Sequence, residues 1–316
     1  MRFNPKARLD TGRVQDAGGG GGMGGGGMRL PIPGGTKSGG GIVGLILVLL
    51  IFVISQCSGI DITGGGGPVS TSGSAFDTSR VAGDSDRYAN CQTGADANED
   101  VDCARIAVEN SLYDYWSDNL PAQSGTPFQA AAMVTFSGAV NTGCGQATSQ
   151  VGPFYCPADA TIYLDTTFFD DVLEQQLGGP DGGFVEPYVL AHEYGHHIQN
   201  LLGTMGQVRT QQGPLSDAVR LELQADCYAG MWARAATSTE DAAGNTLFAQ
   251  LTEQDVQQAI EAAEAVGDDR IQQKTQGQVT KESWTHGSAA QRVAWFRVGF
   301  NEGSLEACDT FAASTL

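Results

Sequence analysis

Basic residues are scarce. Lysine and arginine number 17 against 36 acidic residues, a formal charge of -19; the chain lacks the cationic surface that holds nucleic acid, which charge therefore excludes as a partner. No C-x2-C pair occurs among the 7 cysteines, so the common cysteine zinc knuckles are absent. Long apolar runs are limited to one, Ile42 to Ile54, interrupted only by Gly44. A multi-span membrane protein is excluded. At 316 residues the chain is also too large to depend on disulfides in place of a hydrophobic core.

Glycine is abundant, with 44 in all and 15 of them in the first 41 positions. Runs such as Gly18 to Gly22 and Gly24 to Gly27 bury too little apolar surface to offset the entropy of an ordered glycine backbone. This composition predicts a disordered, basic tail over residues 1–41. Residues 42–57 read as a transmembrane anchor, since a helix of that length reaches about 25 Å against a hydrocarbon core of about 30 Å. Arg2, Lys6, Arg8, Arg13, Arg29 and Lys37 precede the run. They predict a single-pass protein of the cell membrane with a cytoplasmic N-terminus and everything after the span outside the cytoplasm. Residues 58–85, rich in glycine, serine and threonine, read as a flexible linker, and residues 86–316 as the folded domain.

Six cysteines lie beyond Cys57, an even number that predicts three disulfides in an oxidising compartment. Six cysteines allow 15 pairings. Loop closure favours the local pairs Cys91–Cys103 and Cys144–Cys156, which leaves Cys227–Cys308.

The chemistry concentrates in FVEPYVLAHEYGHHIQNLLG, residues 184–203. Pro187 suits a first helical turn and Gly203 a C-terminal stop, so the stretch between them reads as one helix. Within it, HEYGH sets His192 and His196 four residues apart, about 40° around the helix axis, and both imidazoles project from one face. That spacing lets two ring nitrogens share a zinc ion, while Glu193 lies beside the metal, placed to take a proton from water. With only 4 histidines in the chain, such a pattern seldom arises by accident. His197 points about 140° away from the His192 direction and reads as an outer or surface group.

A catalytic zinc site usually has three protein ligands. The segment Leu215 to Ala235 has helical periodicity in Val219, Leu223, Cys227 and Met231, and it carries Glu222 and Asp226 as an i, i+4 pair. If this helix packs antiparallel to the first, Glu222 can ligate zinc and Asp226 can accept the other N–H of a ligating histidine. A solvated acidic pair is the competing reading. Ala225, Ala229 and Ala233 would permit close helix approach.

GPFYCPADATIYLD, HEYGHHIQ, ELQADCYAGMWA, and GDDRIQ followed by THGSAAQRVAWF occur in this order. Together they resemble the bacterial family named "putative neutral zinc metallopeptidase", over residues from about 85 to the C-terminus. The E-x-x-x-D of Glu222 and Asp226 also resembles the gluzincin arrangement of thermolysin-like peptidases. The resemblance implies a zincin-like α+β domain, rich in helices, with a small mixed sheet over the metal helix and an edge strand that pairs with an extended peptide. It implies a membrane-anchored, zinc-dependent endopeptidase acting on peptide or protein substrates, with zinc on His192, His196 and Glu222 and with Glu193 as general base.

His286 is the candidate hydrogen-bond donor to the oxyanion, against a plain core or loop histidine. Arg292 could orient a carboxylate or tie down the C-terminal helix. Strands are expected over Ala131 to Gly138 and Thr161 to Asp165, with the edge role assigned to Ile162 to Asp165 and its start pinned by Cys156. Helices are expected over Val101 to Asp118, Gln254 to Val266 and His286 to Phe300. The alternative functions are a membrane-tethered zinc-binding or interaction protein that cleaves nothing, and a metal-free domain held by disulfides.

Overall fold

The computed structural model describes residues 1–19, 86–149, 151–169, 173, 183–241 and 243–316. The expected anchor at 42–57 and linker at 58–85 lie outside the described residues. Among the described residues no helix is long and apolar enough to cross a membrane.

The N-terminus departs from the disordered tail expected for residues 1–41. Strands β1 (Arg2–Phe3) and β2 (Val14–Gly19) belong to the folded domain, and Phe3, Ala7 and Val14 are buried in its main core. Of the 15 glycines in the first 41 positions only Gly12 precedes Gly18. The entropic penalty that argues for disorder therefore bears on the residues after the strand and hardly on residues 1–17.

Helix α1 (Val101–Ser124) starts at Asp100, whose carboxylate accepts from the Asp102 and Cys103 N–H groups, and stops at Gly125 with φ 72°. It runs past the expected Asp118, through Pro121 in its last turn. Five strands follow: β3 (Ala132–Ser137), β4 (Ala139–Thr142), β5 (Gly145–Thr148), β6 (Phe154–Cys156) and β7 (Thr161–Asp165). The sheet is small and mixed, as expected, in the order β2-β3-β7-β6. β2, β3 and β7 run parallel and β6 is antiparallel to β7. The edge assignment needs correction: β7, carrying Ile162 to Asp165, is interior, and the edges are β2 and, on the side of β7, β6. β4 and β5 form a separate hairpin.

Helix α2 (Val185–Leu201) carries HEYGH and ends at Gly203, which turns the chain at φ 74°. Helix α3 (Asp217–Ala235) is capped by Ser216, whose hydroxyl accepts from Val219 N–H. A short β8 (Phe248–Gln250) pairs with β1. Helix α4 (Glu253–Ala265) opens with a Thr252/Asp255 capping box, α5 (Asp268–Gln276) follows, and α6 (Ala289–Glu302) opens with a Ser288/Gln291 capping box.

Three backbone approaches fix the helix packing. A Cβ on Gly195 of α2 would stand 3.0 Å from the Ala225 carbonyl oxygen of α3, one on Gly230 of α3 would stand 2.1 Å from the Phe296 carbonyl oxygen of α6, and one on Gly299 of α6 would stand 1.8 Å from the Cys227 carbonyl oxygen. Helix α3 is thus clasped between α2 and α6 at distances that only small residues permit. The three disulfides are Cys91–Cys103, Cys144–Cys156 and Cys227–Cys308, the pairing that loop closure favours. The last fastens the C-terminal segment to the middle of α3.

Candidate metal centre

Helices α2 and α3 pack antiparallel: Tyr188 and His192 meet Asp226, Gly195 meets Ala225, and Gln199 reaches the Leu221 carbonyl. This arrangement brings His192, His196 and Glu222 together, with one ligand atom from each lying within 4.8 Å of the others and all three residues buried. Glu222 Oε2 lies 3.2 Å from His192 Nε2, and Oε1 lies 3.6 Å from His196 Nε2. Glu222 is therefore no solvated acid.

Each imidazole is oriented from behind. His192 Nδ1–H donates to Asp226 Oδ1 at 2.9 Å. The same oxygen accepts from the Tyr188 hydroxyl at 2.6 Å, while Arg292 Nε donates to Oδ2 at 2.8 Å and Arg292 Nη2 to Oδ1 at 2.9 Å. Burial works against a charge on Asp226, but the Arg292 and His192 charges outweigh it and hold the carboxyl down at about 2. His196 Nδ1–H donates to Gln199 Oε1 at 2.8 Å. The amide cannot turn over, because its Nε2 donates to the Leu221 carbonyl at 2.7 Å and to Gln224 Oε1 at 3.1 Å. Both Nε2 atoms are thereby left free to face Glu222. Two imidazoles and a carboxylate, with their far nitrogens fixed by hydrogen-bond acceptors, are a donor set that fits zinc.

Glu193 is buried beside this cluster. Loss of hydration raises its carboxyl, the neighbouring Glu222 charge raises it further, and His192 and the Tyr155 backbone N–H oppose them; the balance is about 7. A carboxyl of that pKa is matched to moving protons near neutrality. Above the helix the edge strand β6 is fastened in place. Tyr155 of β6 accepts from Asn200 Nδ2 at 2.9 Å and lies 3.0 Å from His197 Nδ1, while His197 Nε2–H donates to the Gln129 carbonyl at 2.6 Å. Burial pushes His197 down to about 4, so it is neutral. It is an interior strut between α2 and β6, where the helical angle alone suggests a surface or outer group.

His286 lies at the end of the connection between α5 and α6, near enough to the cluster for the Glu222 charge to act on it. Burial disfavours its protonation, but Glu222 and Asp268 prevail and raise it. Asp268 holds this turn: its Oδ2 accepts from the Thr285, His286 and Gly287 N–H groups at 2.7, 2.7 and 3.1 Å, and its Oδ1 lies 3.6 Å from His286 Nδ1.

His192, Glu193, His196, Glu222, Asp226 and His286 therefore lie in or beside one buried cluster, and Arg292 orients the Asp226 carboxylate. Gln199, Tyr188 and Asp268 were not singled out. Gln199 carries a legible signal, sitting three residues after His196 on the same helix. Asp268 carries none, since its role depends on the fold of a distant turn.

The family model described as "Putative neutral zinc metallopeptidase" matches residues 1–311. The chain is 52% identical over 228 residues to the uncharacterized protein Rv2575 of Mycobacterium tuberculosis, covering 72% of this chain and 76% of that protein. It is 38% identical over 324 residues to the uncharacterized protein YpfJ of Escherichia coli K12, covering 98% of this chain and 99% of that one. No solved structure matches the chain. With a His-His-Glu cluster suited to zinc and a family match along nearly its whole length, the chain belongs to the family described as "Putative neutral zinc metallopeptidase".

Proposed function

We propose that the protein is a zinc-dependent endopeptidase that works outside the cytoplasm. The observation that carries this reading is the His192, His196 and Glu222 cluster with the Glu193 carboxyl buried beside it on the same helix. A purely structural zinc site needs no such group and normally fills its fourth position with protein.

His192, His196 and Glu222 would hold the metal. Bound zinc supplies a Lewis acid that polarises the scissile carbonyl and makes water a better nucleophile near pH 7. The chain's own groups do the rest. Glu193 takes the proton of the attacking water onto its carboxylate and delivers it to the leaving amine. His286, oriented by Asp268, donates a hydrogen bond to the oxygen that becomes negative in the transition state. Asp226 and Gln199 fix the ligand imidazoles, so little reorganisation accompanies the reaction. The edge strand β6, braced by His197 and Asn200 through Tyr155, would align an extended peptide by backbone pairing.

The three disulfides support an oxidising location, and the apolar run Ile42 to Ile54 supports attachment to a membrane. The test is a digest of a broad peptide library. Cleavage that stops with a chelator and returns on adding zinc supports the reading; a zinc-loaded chain that cuts nothing supports the non-catalytic alternative.

A further inference from the structure

We infer that residues 1–19 and residues 86–316 stand on the same side of any membrane this protein meets, so that the chain between them makes no net crossing. The inference rests on packing at the N-terminus and is independent of the peptidase reading.

β2 is a full member of the sheet that carries β6. Val14, Gln15 and Asp16 pair in parallel register with Met133, Val134 and Thr135 of β3, and Met133 N–H donates to the Arg13 carbonyl at 3.0 Å. Paired strands lie about 4.8 Å apart, whereas opposite sides of a bilayer are separated by about 30 Å of hydrocarbon. One chain cannot satisfy both.

The rest of the domain is cut to fit this segment. Glu109 of α1 is 2% exposed, and its carboxylate is met by Arg13 Nε at 3.0 Å. Taking residues 1–19 to another compartment would deprive that buried carboxylate of this cation, an expensive state. Asp16 Oδ1 likewise accepts from the Thr135 hydroxyl inside the protein at 2.9 Å. At the other end of the segment, Asn4 N–H donates to the Leu247 carbonyl at 2.8 Å, and a Cβ on Gly94 would stand 2.0 Å from the Asn4 carbonyl oxygen. Position 94 leaves room for this backbone and for nothing larger.

Two complete crossings between residues 19 and 86 would also return the chain to its starting side, but each needs about 20 apolar residues. The intervening sequence offers one run of 13. The arrangement read from charge, with the N-terminus in the cytoplasm and the domain outside, is the one this packing excludes. The disulfides then place both parts outside.

The test uses the full-length chain with Cys57→Ser and one new cysteine, either Lys6→Cys or Gln257→Cys, both at exposed positions. Right-side-out and inverted membrane vesicles are treated with a membrane-impermeant maleimide, and labelling is normalised to the same variants in detergent. The inference expects both cysteines to react in the same vesicle orientation and to the same extent. Reaction of Lys6→Cys in one orientation and Gln257→Cys in the other overturns it. Reaction of both only in inverted vesicles would uphold the inference and contradict the exported location instead.

Discussion

Arg292 and Asp226 form a buried ion pair directly behind a metal-binding histidine, with Arg292 Nε 2.8 Å from Asp226 Oδ2. The pair spans α6 and α3, and its carboxylate reaches His192 on α2. The centre is thus assembled from three helices, and its geometry depends on groups that need never touch zinc.

Removing the charge behind His192 should weaken metal binding. Asp226→Asn is expected to lower zinc affinity by about 10–100-fold, the usual cost of losing a partner behind a ligating histidine. Gln199→Leu should act in the same direction through His196. Competition titration against a chelator of known affinity checks both, and unchanged affinity in Asp226→Asn would sever the link drawn here.

The N-terminal segment should be a stability element. Arg13→Ala leaves Glu109 buried without this cation and should cost about 3 kcal/mol, at the low end for a broken buried pair because Arg13 is partly exposed. Replacing both residues with methionine should recover much of the loss. Thermal melts of the three proteins measure it; a silent Arg13→Ala would mean that the segment contributes little.

Acid should loosen the turn that presents His286. Burial opposes the charge on Asp268, but His286 and the surrounding N–H groups hold its carboxyl below the ordinary value. The native carboxyl thus has the lower pKa. Its stabilisation is complete above the unfolded value of about 3.9 and is lost as pH falls through the native value. Asp268→Asn should flatten the acid limb of melting temperature against pH, leaving less difference between pH 5 and pH 3 than in the parent.

Much of the centre is legible in the sequence because helices are local. Four-residue spacing sets His192 beside His196 and Glu222 beside Asp226 wherever α2 and α3 finally lie. The three disulfides are legible for a similar reason: two close short loops, and the third pair remains. What escapes the sequence is non-local. β7 looks like an edge because its five residues are self-contained, yet the chain lays β6 outside it. Residues 1–17 look like a tail because glycines further on dominate the average composition. Their partners, Glu109, Met133 and Phe248, are about a hundred or more positions away.

Loss of Cys227–Cys308 should harm the fold more than loss of either other disulfide. It closes 81 residues against 12 for each of the others, corresponding to about 4.5 kcal/mol against about 3 on loop-closure grounds. Paired alanine substitutions with calorimetry give the ranking. Equal losses from all three would show that loop length does not govern it.

If Glu193 moves the protons of peptide hydrolysis while the metal sits on His192, His196 and Glu222, turnover depends on its basicity and metal binding does not. Glu193→Gln keeps the shape of the side chain and removes its basicity. Zinc content and turnover are measured on the same preparation, with a peptide that the parent protein cleaves. Glu193→Gln is expected to hold about one zinc per chain, as one three-ligand site requires, with cleavage reduced to background. Parental turnover by the zinc-loaded variant would contradict the proton-moving role of Glu193.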